Sequence, residues 1–362
     1  MVKDSFEPEF NCIATLQPLE FMNPLIAWDN FDISFWLAAL ATAKVFAVGL
    51  AGFALIRLGV IGPRGLRAIG QLVALLTMPC LVIYNFAISF DPASIPGWWV
   101  FALIGAGITL FGMALGKILA WRYHNEEATM LVGFQNAGYF VLPMLAALLP
   151  HAQYVRTSLL LFILVIPFNT LLWFAGSVIL LRRPGWNIST ILTPPFVATL
   201  FSLIVYGLGY HWIHQLDGWF LIQVLFGNRS AAPGTAASIG AMQQIGDLTI
   251  PLAMLVLGGS IAANVQGRIE FKRAVAATTI MKLVIMPLFG YVFLRFAMGP
   301  PTPENTAIYV LLMLQFCAPP GTNLTIFSQQ YGYKMRLIPA VCLASYILCL
   351  ITVPFFVALV LR

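Results

Sequence analysis

Charge is what this chain has least of. Asp, Glu, Lys and Arg together make 9% of the 362 residues, and 60% are hydrophobic. An ordinary soluble domain is about 25% charged. So few polar side chains cannot cover a water-facing surface, which leaves an integral membrane protein. The 19 lysines and arginines are scattered, so the formal charge of +6 makes no basic run and no nucleic-acid partner is expected. Cysteine is also scarce. Of 5, only Cys12 lies outside an apolar run; Cys80, Cys317, Cys342 and Cys349 lie within them, so no disulfide framework is expected. No H-E-x-x-H, no P-loop and no G-x-S-x-G in a workable context is present, which argues against an enzyme and against a cofactor. His211-x-x-His214 has no acidic or cysteine neighbours, so no metal site is expected. No signal peptide is expected in residues 1–32 either. Lys3 stands alone against Asp4, Glu7, Glu9, Glu20, Asp29 and Asp32, the wrong sign for a positively charged leader. Residues 1–32 read as an acidic extracytoplasmic tail.

What the chain has is apolar length. A helix needs roughly 20 apolar residues to cross the hydrocarbon core. Spans are predicted near 33–57, 66–90, 97–121, 127–150, 157–181, 188–210, 236–262, 271–296, 305–330 and 336–361, ten in all. With the N-terminus outside, the inner loops hold twelve lysines and arginines, Arg57, Arg64, Arg67, Arg182 and Arg183 among them, against five outside. The positive-inside rule therefore places both termini outside. Lys44 and Lys282 fall within spans. The segment 211–235 reads as an outer loop.

Two spans are broken alike. Gln135-Asn136-Ala137-Gly138-Tyr139 runs on to Pro143 in span 4, and Cys317-Ala318-Pro319-Pro320-Gly321-Thr322-Asn323 lies in span 9. Pro143 and Pro319 are 176 residues apart, close to half the chain, and Pro79 and Pro251 recur at an offset of 172. The fit loosens at Pro167 and Pro354, which differ by 187. Interrupted spans at matching places in two halves mark a secondary transporter, with its substrate site where the breaks meet. An odd number of spans per half makes the repeat inverted. The predicted halves are 33–181 and 188–362, joined by a short cytoplasmic linker at 182–187. The fold class is thus an all-α membrane protein, ten helices in a 5+5 inverted repeat, with broken helices 4 and 9 crossing near Pro143 and Pro319-Pro320.

At these residues the chain resembles the auxin efflux carrier family, which includes plant PIN carriers and bacterial organic-acid permeases. Asn136 through Pro143, Leu257-Gly258 after Pro251, Lys282-Leu283 with Pro287, Pro319 to Asn323 followed by Tyr331-Gly332, and Ala344-Ser345 with Pro354 match the family's pattern in order. The resemblance covers about residues 35–361. It implies a sodium/proton antiporter-like architecture: a scaffold of helices 1, 2, 6 and 7, a transport bundle of helices 3–5 and 8–10, elevator-type alternating access and a homodimer. Plant PIN carriers have a long loop between the halves. Here only about Arg182 to Trp186 separates them, which favours a bacterial-type member in an inner (plasma) membrane and puts auxin itself in doubt as substrate.

The expected substrate is a small organic anion, auxin-like or a carboxylate such as malate or malonate, exported with a proton or sodium ion as candidate coupling ion. Asn136, Tyr139, Pro143, Gln315, Pro319, Pro320, Gly321, Thr322 and Asn323 are its candidate contacts around the breaks. For the asparagines the bland alternative is that they only satisfy unwound backbone. Lys282, midway along span 8, is the candidate counter-charge. Asp247 reads as the one carboxylate deep in a span, a candidate for coupling or gating, because a charge in the bilayer is costly. Tyr84, Asn85, Gln135 and Gln244 are candidate cavity linings, although each such residue alone is more often a helix-to-helix hydrogen bond. A channel or a transport-fold sensor is the competing reading.

Overall fold

The computed structural model describes residues 31–92, 95, 97–180, 192–207, 219–227, 239–264, 273–321, 324 and 337–362. The tail at 1–30, the linker at 182–187, most of the 211–235 loop, and both Thr322 and Asn323 lie outside the described residues.

Helices fill nearly everything described. They are α1 Phe31–Arg57, α2 Pro63–Ser89, α3 Val100–Tyr123, α4 Glu127–Gly133, α5 Ala137–Leu148, α6 His151–Leu180, α7 Pro194–Gly207, α8 Phe220–Phe226, α9 Ala241–Asp247, α10 Thr249–Asn264, α11 Arg273–Met298, α12 Thr306–Cys317 and α13 Ile338–Leu361. Counting α9 with α10 as one stretch, seven are long and apolar enough to cross a membrane among the described residues; α5, α7 and α12 are shorter apolar helices. The chain is therefore an all-α, multi-pass membrane protein. A helix satisfies its own backbone, which is what the bilayer demands. Most of these helices begin and end within about six residues of a predicted span; α12 stops at Cys317, well short of the predicted end at 330. One expectation fails inside the 211–235 loop, where α8 forms with Trp219, Phe220 and Leu221 exposed.

Three helices widen before a proline. In α2 the π-helical turn Val73–Thr77 precedes Pro79, in α5 Ala137–Val141 precedes Pro143, and in α11 Met281–Ile285 precedes Pro287. A proline has no N–H to donate and its ring collides with the carbonyl four residues back. The wider π turn removes that collision while the helix continues. This corrects the reading of Pro143 as the break in span 4. Pro143 is buried in a continuing helix, and the unwound residues lie before it, at Phe134–Asn136.

Small residues set the closest helix contacts. A methyl group on Gly258 of α10 would sit 1.7 Å from the carbonyl oxygen of Gly49 in α1, and one on Gly52 would sit 2.1 Å from that of Leu255. Backbone-to-backbone approach of this kind is how helices associate tightly in lipid. The α4, α5, α6, α12 and α13 helices enclose the main core, and α12 is buried from Tyr309 to Cys317.

Candidate functional site

The site starts with a helix that stops. α4 ends at Gly133, and Phe134–Asn136 run extended beside Ala318–Gly321. The two segments pair as an antiparallel bridge between Gln135 and Pro320. The Asn136 N–H donates to the Pro319 carbonyl at 2.9 Å, and the Gly321 N–H donates to that of Phe134 at 2.9 Å. Each unwound stretch thereby satisfies groups that the other has freed. The prolines suit this pairing because they bring acceptors and no orphan N–H.

Side chains complete the break. Asn136 caps α5, its Oδ1 accepting the Tyr139 N–H at 3.1 Å. Its Nδ2 donates to the Tyr346 hydroxyl at 2.7 Å, which donates onward to the Pro320 carbonyl at 3.0 Å. Gln135 Nε2 donates to Gln315 Oε1 at 3.0 Å, both side chains being buried. Lys282 is fully buried, and its Nζ donates to the Val132 carbonyl at 2.9 Å. That carbonyl would accept from the Asn136 N–H if α4 continued for another turn. The ammonium thus caps the C-terminus of α4, where a cation is favoured.

The start of α4 carries a second buried charge that sequence reading missed. Glu127 is fully buried, and its Oε2 accepts the N–H groups of Leu337 and Ile338 at 2.7 and 2.9 Å. It anchors the first turn of α13. The deep carboxylate is therefore Glu127; Asp247 is exposed at the end of α9, with His151 and Tyr154 of α6 as its electrostatic neighbours. The neighbouring Glu126 is half-exposed and pairs with Lys117 at 2.7 Å. In sequence the two glutamates stand together at a span edge, so nothing marks which one turns inward. Asp247 and Lys282 form no ion pair.

A cavity of about 510 Å³ opens on the other side of the break. Its walls come from α2, α6, α7 and α10, and Asn136, Ala137, Gly138 and Tyr139 line it as well. The N–H of Gly138 has no protein acceptor among the described residues. The Tyr139 ring also packs against a small cluster of Ile56, Leu66, Val256 and Ala262, joining α5 to α1, α2 and α10. The surface is more apolar than polar, with Met78, Phe162, Phe196 and Trp173 prominent. Among the predicted contacts that lie in the described residues, Asn136 and Tyr139 line it. Pro143, Gln135, Gln315, Pro319, Pro320, Gly321 and Lys282 are buried behind it. Tyr84 donates to Gln243 Oε1 at 2.7 Å and Asn85 to Ser158 Oγ at 2.9 Å, helix-to-helix bonds away from the cavity. Gln244 is exposed elsewhere. The cavity adds Arg67, Gln71, Asn169 and Ser260, which sequence reading passed over. The Asn169 signal was present: a polar residue in an apolar run two positions after Pro167.

Comparison with known proteins follows the same line. Residues 184–357 match the family model described as membrane transport protein. Protein PIN-LIKES 1 of Arabidopsis thaliana is 25% identical over 238 residues, 63% of this chain and 44% of that protein. PIN-LIKES 7 is 26% identical over 109 residues, 30% of this chain and 27% of its own length. PIN-LIKES 3 is 23% identical over 151 residues, 40% and 34%. The matched stretches span less than half the length of these plant relatives.

Proposed function

We propose that the chain is a membrane transporter of the auxin efflux carrier family, a reading supported by its match to the membrane transport protein model and to PIN-LIKES 1, and that it exports a small organic anion by alternating access. The observation that carries the proposal is the cavity lined by Asn136, the last residue of the break, and by Ala137, Gly138 and Tyr139 in the first turn of α5. Its volume of about 510 Å³ lies in the range of small-molecule sites, about 300–1,000 Å³. The apolar walls favour an anion with an apolar body, auxin-like, over malate or malonate, whose second carboxylate would meet them unpaired.

The rest of the reading follows from the sequence. Ten spans form a 5+5 inverted repeat, with scaffold helices 1, 2, 6 and 7 and a transport bundle of 3–5 and 8–10. The cavity then lies between scaffold (α2, α7, α10) and bundle (α5, α6), where an elevator-type movement would expose it to alternate sides. Pro63, Arg67, Thr193 and Ala263 stand at helix ends that the positive-inside rule assigns to the cytoplasm, so the cavity is inward-open. A proton or sodium ion as coupling ion, a homodimer, the extracytoplasmic termini and a bacterial plasma membrane belong to the same proposal; the relatives above are all from a plant.

Gly138→Leu tests it. A Cβ at Gly138 meets only the Met78 methyl, at 3.5 Å, so the side chain grows into the cavity without disturbing the fold. Flux of a carboxylate panel into proteoliposomes is expected from the wild type and is expected to fall at least about tenfold in the variant, with an unchanged unfolding temperature. Undiminished flux through Gly138→Leu would remove the cavity from the transport path. No flux from the wild type would leave a sensor.

A further inference from the structure

The cavity contains a single formal charge among the described residues, and it is not Lys282. That ammonium is fully buried and held by the Val132 carbonyl at 2.9 Å. Asn136 has its amide oxygen and one N–H engaged within the break. Arg67 differs on both counts. It is exposed at the cavity wall and forms no ion pair or hydrogen bond with any described residue. Gln71 follows four residues later on α2, so both side chains leave the same helix face, and both line the cavity. Asn169 lines it from α6, also without a protein partner.

We infer that Arg67 selects the substrate by charge, with Gln71 and Asn169 orienting its carboxylate at the mouth of the cavity and the apolar body lying toward Asn136–Tyr139. This rests on reading the cavity as the substrate site. The chemistry is a planar guanidinium fork offered to a carboxylate, a match an ammonium cannot reproduce. The polar groups at the break are occupied in holding the backbone, whereas those at the mouth are free. An exposed arginine is screened by water and salt, so its hold is modest. Weak binding at the mouth also suits a carrier, which must release what it takes up.

The test compares arylalkyl carboxylates, phenylacetate and indole-3-acetate, with their uncharged amides by thermal shift on the purified protein. The wild type is expected to prefer the carboxylates, and more so at low salt. Arg67→Gln is expected to lose that preference by about tenfold, the cost of one charge-assisted contact at a hydrated site, with amide binding unchanged. Arg67→Lys should restore the preference in part. Arg67→Gln that keeps the wild-type preference overturns the assignment. So does a variant that loses acid and amide alike, since that marks a structural residue. A wild type that binds acids and amides equally, or neither, sinks the organic-anion reading itself.

Discussion

The break at Phe134–Asn136 has two sides. Toward the bundle interior, its donors and acceptors are largely taken: Asn136 by Tyr346 and Tyr139, Val132 by Lys282, Phe134 by Gly321. Toward the cavity, the Gly138 N–H and the Arg67, Gln71 and Asn169 side chains have no partner among the described residues. Both sides carry polar residues in apolar surroundings, but for opposite reasons. Inside the bundle a freed backbone group has no water to turn to, so the nearest polar side chain is drawn to it. Beside a cavity that group can be left for a ligand. In this chain the residues nearest the break in sequence hold the break together, and the substrate-reading groups proposed above lie elsewhere on the cavity wall.

The largest expected effect is at the interior. α4 is clamped by a buried charge at each end, Glu127 at its start and Lys282 at its last turn. Glu127→Ala orphans the Leu337 and Ile338 N–H groups at once. Each hydrogen bond to a charged group is worth about 1.5–3 kcal/mol, so a loss of about 3 kcal/mol or more is expected. Thermal unfolding of the purified protein measures it. Glu127→Gln, which keeps one acceptor, should lose less. A Glu127→Ala protein as stable as the wild type would mean that α13 does not depend on this carboxylate.

Lys282→Met comes next. The Val132 carbonyl loses its donor, which costs about 1–3 kcal/mol. Removing a buried ammonium offsets part of this, because its desolvation penalty disappears as well. A net loss of about 1 kcal/mol is expected, together with equal changes in the binding of indole-3-acetate and of its amide. A loss confined to the carboxylate would place Lys282 in the substrate site and undo the contrast between the two sides.

The sequence carried the architecture further than the site. Span positions came from apolar length, and the breaks from proline, glycine and asparagine inside those lengths. Both features are one-dimensional, so a string shows them. The side a residue faces is not. Lys282 and Arg67 are both basic residues on apolar helices; only three-dimensional packing turns the first toward Val132 and leaves the second exposed on the cavity wall. Glu127 is the first residue of a predicted span, and nothing in the sequence shows that the start of α13 packs against it. Pro143 looked like the break because proline interrupts helices in general; here a π turn absorbs it. Asn136 was foreseen at the break; its Oδ1 caps the first turn of α5 at the Tyr139 N–H, and its Nδ2 donates to the Tyr346 hydroxyl.

The smallest effect is expected where the interior is least complete. Gln135 and Gln315 share one bond at 3.0 Å, and Gln135 Oε1 and Gln315 Nε2 have no partner. Replacing one glutamine strands the other: Gln135→Leu should cost about 1–2 kcal/mol, since the Gln315 amide would then have no partner. Replacing both removes the bond and the two orphans together, which can be nearly neutral or stabilising. A double-mutant cycle on unfolding temperature should therefore give a Gln135→Leu/Gln315→Leu protein more stable than the sum of its single variants predicts. Its carboxylate flux should match the wild type, because neither side chain lines the cavity. A double variant that unfolds normally but no longer transports would show that this amide pair serves the substrate path, and that the interior side of the break is not merely its support.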